Sequence, residues 1–172
     1  MRLIQSFLTV LIISLLLITG CTLEEVEPGG STSNTGGETG RVTNIVDGDT
    51  IDVVLNNGQE VRVRYVGVNT PERQENCYSD ARRANAALVE GETVRLVRDT
   101  SDTDRFDRLL RYVYVGETFV NAELVRGGWA EVVRYDPDDR EFDNFRILEQ
   151  DAERAGLGCH PTGIFDDGTF TR

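Results

Sequence analysis

Residues 41–68 read RVTNIVDGDTIDVVLNNGQEVRVRYVGV, and the breaks in this stretch say as much as its apolar residues. Val53 and Leu55, then Val61, Val63 and Tyr65, recur at every second position, the period of a strand with one buried face. Asp47-Gly48 and Asn57-Gly58 interrupt the pattern, and an Asn-Gly pair between alternating runs is a strong hairpin signal. The stretch predicts three strands, at about 41–46, 50–55 and 60–67, joined as a meander.

Working downstream, Ser79 is expected to cap a helix over about 80–90, with Ala81, Ala84 and Leu88 on one face and Gly91 as its stop. Glu92–Arg98 and Arg108–Val115 read as two further strands, which makes five. Asn121 is placed to cap a short helix ending near Gly127-Gly128. A last helix from about Asp139 to Ala155 sets Phe142, Phe145, Leu148 and Ala152 at spacings of three and four. Strands first, with helices after the third and the fifth, predict an α+β domain that is mainly β: a five-stranded barrel flanked by about three helices. No internal repeat is visible.

Upstream, residues 1–20, MRLIQSFLTVLIISLLLITG, have the short apolar core of an export leader. Ile18-Thr19-Gly20-Cys21 resembles the lipobox of bacterial lipoproteins, so Cys21 is the expected lipidated N-terminus and membrane anchor; the alternative is an uncleaved anchor helix. Residues 24–40, EEVEPGGSTSNTGGETG, have no large apolar residue after Val26 and read as a flexible stalk. The expected organisation is a leader (1–20), a lipidated start and stalk (21–40), and one monomeric extracytoplasmic domain (41–172).

All 18 basic side chains are arginine, against 30 acidic ones, for a net charge of −12 that becomes −13 once Arg2 leaves with a leader. Such a balance opposes unspecific attraction to nucleic acid or anionic membrane, so a polyanion has to be captured locally. Cys77 and Cys159 are expected to pair in an oxidising compartment, the alternative being two buried free thiols. Trp129 reads as core, and the lone His160 as a surface residue without a catalytic role.

Asp47, Asp49 and Asp52 fall around one Gly turn, and convergent carboxylates offer the hard oxygens that suit calcium or magnesium. Taken alone, DGDT reads equally as a solvated turn. Asn69-Thr70-Pro71-Glu72 ends the third strand, where Pro71 restricts Thr70 to extended geometry, and this second turn would lie beside the first. Arg64 and Arg108 carry the planar fork that matches a phosphate bidentately. Singly, each reads as a surface ion pair.

Together these segments form a pattern. DGDT, then R-x-x-x-x-N-T-P-E over 64–72, TDRFDRLLRYVYV over 103–115 and VNAELVRGGWA over 120–130 resemble, in order and spacing, the staphylococcal nuclease (thermonuclease) family across about residues 41–157. The resemblance implies an oligonucleotide-binding-type (OB-fold) barrel and a calcium-dependent endonuclease acting on DNA and RNA to leave 3′-phosphate ends. It assigns calcium to Asp49, Asn69 and the Thr70 carbonyl, with Asp47 in the outer shell. It gives water activation to Glu72, the scissile phosphate to Arg64 and Arg108, and further substrate contact to Arg105 and Phe106. Asn69 stands where the family has an aspartate, which implies weaker calcium binding. Phe106 replaces a tyrosine, and two later aromatic positions fall at Arg134 and Asp136 with Tyr135 between them, which weakens the expectation of base stacking there. Some exported relatives carry cysteines at places similar to Cys77 and Cys159. The alternative reading is a catalytically silent barrel that binds nucleic acid or a protein partner.

Overall fold

The computed structural model describes residues 37–166. The expected leader, Cys21 and most of the expected stalk lie outside the described residues. Among the described residues no helix is long and apolar enough to cross a membrane.

The expected α+β barrel is present. Strands β1 (Glu38–Ile45), β2 (Thr50–Leu55) and β3 (Glu60–Tyr65) form the meander, followed by the two-residue β4 (Val68–Asn69) and helix α1 (Tyr78–Val89). After β5 (Thr93–Val97), β6 (Leu109–Val115) and β7 (Thr118–Phe119) come α2 (Val120–Arg126), β8 (Glu131–Val132) and α3 (Phe142–Arg154). The sheet runs β3-β2-β1-β5-β6-β7, and a parallel pairing of β3 with β6 closes it. Ile51, Val63, Tyr65, Leu96, Tyr112, Leu124 and Phe145 fill the interior.

β1 begins three residues before the expected boundary, inside the stretch read as stalk. Its first half pairs with β5 (Glu38 opposite Leu96, Arg41 opposite Thr93) and its second half with β2, so one strand serves both sides of the barrel. Gly40 lies where the halves meet: a Cβ there would stand 2.6 Å from Val53 Cγ1 and from the Val54 carbonyl oxygen. This glycine is a close-packing requirement and not a sign of flexibility. Arg111, buried on β6, secures the end by pairing with Glu38 (2.9 Å) and Asp102 (2.7 Å).

Two expected caps have other roles. Helix α1 starts at Tyr78 after Cys77, which is left-handed at φ 70°, and no side chain caps it. Asn121 is inside α2 and fully buried. Its Oδ1 accepts the Val113 amide (2.9 Å) and its Nδ2 donates to the Val66 carbonyl (3.0 Å), stitching α2 to β6 and to the turn after β3. Helix α3 starts at Phe142, three residues later than expected, and buries Phe145, Glu149 and Ala152. Cys77 and Cys159 form a disulfide, with Cα atoms 5.7 Å apart.

Two registers position the chemistry. The parallel closure sets Arg64 opposite Leu110 and Val63 opposite Leu109, so Arg64 on β3 neighbours the start of β6, which Arg108 immediately precedes. The β4–β8 pairing sets Asn69 opposite Glu131.

The loops before β6 and before α3 are clamped together, because Asp138 Oδ1 accepts the amides of Thr100 (2.9 Å) and Ser101 (2.7 Å). Burial alone would raise the Asp138 carboxyl, but Ser101 and the Thr100 amide hold it below the usual carboxylate value. Its contribution to stability is therefore present above that usual value and lost as pH falls through the lower folded one. Acid titration of unfolding is expected to show this loss, and Asp138→Asn should flatten the acid limb; an unchanged limb would remove the clamp from the acid response.

Candidate active site

The two predicted turns meet at Gly48. A Cβ on this glycine would stand 2.6 to 2.8 Å from Oγ1, Cβ and Cγ2 of Thr70, so the Asp47-Gly48-Asp49 turn rests directly on the loop after β4. Asp49 joins them. Its Oδ2 accepts the Thr70 amide (2.8 Å) and hydroxyl (3.0 Å) and pairs with Arg64 Nη1 at 3.0 Å, while Oδ1 accepts the Thr50 hydroxyl (3.1 Å). From α1, the buried Asn85 donates to the Asp47 carbonyl (2.9 Å) and accepts the Tyr65 hydroxyl (2.9 Å), holding the turn against the barrel.

Arg64 is more deeply engaged than a strand arginine with a surface partner. Besides Asp49, Nη1 donates to the carbonyls of Tyr65 (3.0 Å) and Val68 (2.8 Å), and Nη2 donates to Asn69 Oδ1 (2.9 Å). Of the five N–H donors on a guanidinium, Nε–H and one Nη2 hydrogen are left for a ligand. Behind Asn69 lies a residue that the sequence reading did not single out: Glu131, 3% exposed, accepts Asn69 Nδ2 at 2.9 Å.

Arg64 also lines a cavity of about 490 Å³ together with Arg105, Phe106, Arg108, Tyr135 and Asp136. Asp104 shapes one wall by accepting the amides of Phe106 (2.9 Å) and Arg108 (3.0 Å) and pairing with Arg108 Nε at 2.7 Å. Phe106 is thereby held 63% exposed, with the Arg105 and Arg108 guanidinium carbons 4.7 and 5.5 Å from its ring centre. Tyr135 stands on the same cavity, so an aromatic ring is present there although Arg134 and Asp136 replace the expected ones. Glu72 is exposed; its carboxylate makes no hydrogen bond or ion pair among the described residues, and its amide donates to Glu75 (2.7 Å).

Residues 62–159, more than half of the chain, match the family model described as staphylococcal nuclease homologue. This chain belongs to the staphylococcal nuclease family. It is 39% identical over 120 residues to endonuclease YncB of Bacillus subtilis (strain 168), covering 65% of this chain and 56% of that protein, so it spans little more than half of that relative's length. Thermonuclease of Staphylococcus intermedius is 32% identical over 130 residues (72% of this chain, 74% of that protein), and micrococcal nuclease of Shigella flexneri 35% over 130 residues (69% and 71%).

Against this nuclease-family frame, the acidic turn contains two carboxylates and not three. Asp52 faces away, bound to Arg62 (2.7 and 3.2 Å) and Asn44 (2.9 Å) on the outside of β2. Among the described residues no three acidic, imidazole or thiol side chains converge on one point. Burial first, and then the charge of Asp49, push the Asp47 carboxyl up to about 7, which marks a pair whose negative charge is only partly compensated. Two such carboxylates with the Thr70 carbonyl fit a hard divalent cation in kind, with few anionic ligands. The Asn69 oxygen has one lone pair on Arg64, which leaves one lone pair for a cation.

Gly48→Ala tests the contact between the turns. The added methyl has no space, overpacking of this kind costs roughly 1 to 3 kcal/mol, and Thr70 would have to leave Asp49. Urea unfolding should show that destabilisation; a wild-type value would separate the turns.

Proposed function

We propose that this protein is a calcium-dependent nuclease that hydrolyses DNA and RNA to 3′-phosphate products, exported and tethered outside the cytoplasm as a monomer through lipid on Cys21. The observation that carries the catalytic part is the double placement of Arg64: one edge of its guanidinium holds Asp49, and the residue lines the same cavity as Arg108 and Phe106.

Arg64 and Arg108 bind the scissile phosphate and hold the charge that builds on its oxygens as the bond order to the entering oxygen rises. Glu72, whose carboxylate has no hydrogen bond or ion pair among the described residues, orients a water and takes its proton as the oxygen attacks phosphorus. The bond to the 5′ oxygen breaks, that oxygen takes a proton from solvent, and the phosphate stays on the 3′ side. Phe106 gives a base or sugar a flat surface, with Arg105 adding positive charge beside it. Asp49, the Thr70 carbonyl and the Asn69 oxygen would hold calcium, with Asp47 acting through water; bound there, the ion polarises a phosphate oxygen.

Cleavage of single-stranded DNA by the soluble domain, titrated with calcium and then with chelator, is the test. Removal of calcium should lower the rate at least about a hundredfold. Equal rates in chelator would overturn the calcium mechanism, and no cleavage at any calcium level would overturn the nuclease reading.

A further inference from the structure

A second basic cavity abuts the acidic turn. It measures about 560 Å³ and is lined by Arg62, Arg73 and Arg82 with Tyr78 and Asn44, and among the described residues no carboxylate lines it. In a chain with 30 acidic and 18 basic side chains, three guanidiniums around one cavity stand out from the composition, with Asp52 bonded to two of the lining residues, Arg62 and Asn44. Tyr78 and Arg82 project from the same face of α1, four residues apart. Arg82 Nη2 donates to the Ile45 carbonyl (2.8 Å), which leaves its other four N–H donors. Arg62 is bound by Asp52 through Nε and Nη2. Arg73 makes no hydrogen bond or ion pair among the described residues. An exposed arginine without a partner, facing two others, has its whole charge to offer to an anion.

The position of the cavity selects the anion. Val46, on its wall, precedes Asp47, and Arg73 follows Glu72, so it abuts both turns of the candidate active site. Arg62 also lines a groove of about 540 Å³ that reaches Phe106 and Arg108. Asp52 and Glu60 line that middle stretch too, Asp52 being neutralised by Arg62. The three depressions are therefore linked through shared residues, from Arg73 and Arg82 past Arg62 to the phosphate-facing arginines. Arg62 and Arg64 are two residues apart on β3, roughly 6.7 Å along a strand, about the step between neighbouring phosphates of an extended nucleic-acid chain.

We infer that the cavity of Arg62, Arg73 and Arg82 is a phosphodiester-backbone subsite, which holds single-stranded polynucleotide at phosphates beyond the one being cleaved. The inference rests on the nuclease reading for its link to turnover. Such a subsite gives an acidic nuclease the local capture that its net charge denies it, and makes the enzyme favour long substrates over short ones.

The test compares a 12-nucleotide oligothymidylate with a mononucleotide aryl phosphodiester too short to reach the cavity. Arg73→Ala, Arg82→Ala and the double variant are assayed on both, with urea unfolding as a control on folding; Arg73→Ala removes no hydrogen bond or ion pair among the described residues. The ratio of kcat/KM for the oligonucleotide to that for the ester is expected to fall about threefold for each single variant and about tenfold for the pair, through KM. Binding of the oligonucleotide without turnover, measured in chelator across a salt series, should lose about 0.7 from its log–log slope for each phosphate contact removed. Equal losses on both substrates, or an unchanged ratio with an unchanged salt slope, would overturn the subsite. If the wild type cleaves neither substrate the nuclease reading fails, and the salt slopes alone decide the subsite.

Discussion

Arg64→Ala is expected to abolish most cleavage and to destabilise the domain at once, because one guanidinium serves both purposes. Its removal leaves Asp49 buried with one charge partner fewer, and the carbonyls of Tyr65 and Val68 and the Asn69 oxygen each lose a donor. Breaking a buried pair by deleting one partner costs about 3 to 5 kcal/mol, and losing a preorganised donor to the developing charge costs about 100- to 1000-fold in rate. Glu72→Gln is the matching control. It removes a carboxylate that is exposed and bound to nothing among the described residues, so the rate should fall at least about a hundredfold while the unfolding free energy stays within about 0.5 kcal/mol of wild type. Full activity in Arg64→Ala, or a large stability loss in Glu72→Gln, would contradict this division of roles.

Loss of the disulfide is expected to be the largest stability effect that leaves the site chemistry in place. Cys77 and Cys159 close a loop with a sequence separation of 82, for which chain entropy gives roughly 4 to 5 kcal/mol. Against a typical domain stability of about 5 to 15 kcal/mol, that is about a quarter or more of the total. The bond ties the entry of α1, and hence the helix that carries Asn85 and Arg82, to the segment after α3. That segment also packs closely on Gly128, whose carbonyl accepts the Cys159 amide at 2.8 Å. Urea unfolding of Cys77→Ser/Cys159→Ser should show the loss, and reductant should reproduce it in the wild type; a change below about 1 kcal/mol would mean that packing alone holds the tail.

The strands were legible because burial on one face imposes a period of two, and Asn-Gly marks a hairpin whatever lies elsewhere in the chain. Arg64, Arg108, Asp49 and Thr70 were legible as residue types that suit phosphate or hard cations, and the structure brings Asp49, Arg64 and Thr70 into one network and Arg64 and Arg108 onto one cavity. What stayed hidden has a common physical cause. Asn85, Arg111, Asn121 and Glu131 are polar residues in buried positions, each with partners on another element, and periodicity reads a polar residue as a solvated one. Glu131 meets Asn69 across 62 positions of sequence through a two-residue strand pair too short to leave a pattern. Gly40 was misread for a related reason: composition cannot distinguish a glycine that is free from one that has no room.

The Asn69–Glu131 contact also limits how the proposed calcium site can be re-engineered. At position 69 an amide can donate to Glu131 and accept from Arg64 simultaneously, whereas a carboxylate there would set two anions about 2.9 Å apart in a buried place. Asn69→Asp by itself would therefore exchange added negative charge for a like-charge clash, and its benefit to cation binding would be cancelled at source. Paired with Glu131→Gln, the same change keeps the hydrogen bond with its direction reversed and moves the acid to the side facing Arg64. The two positions behave as one bistable choice, amide in front and acid behind or the reverse, so optimising either alone would lead an engineer downhill.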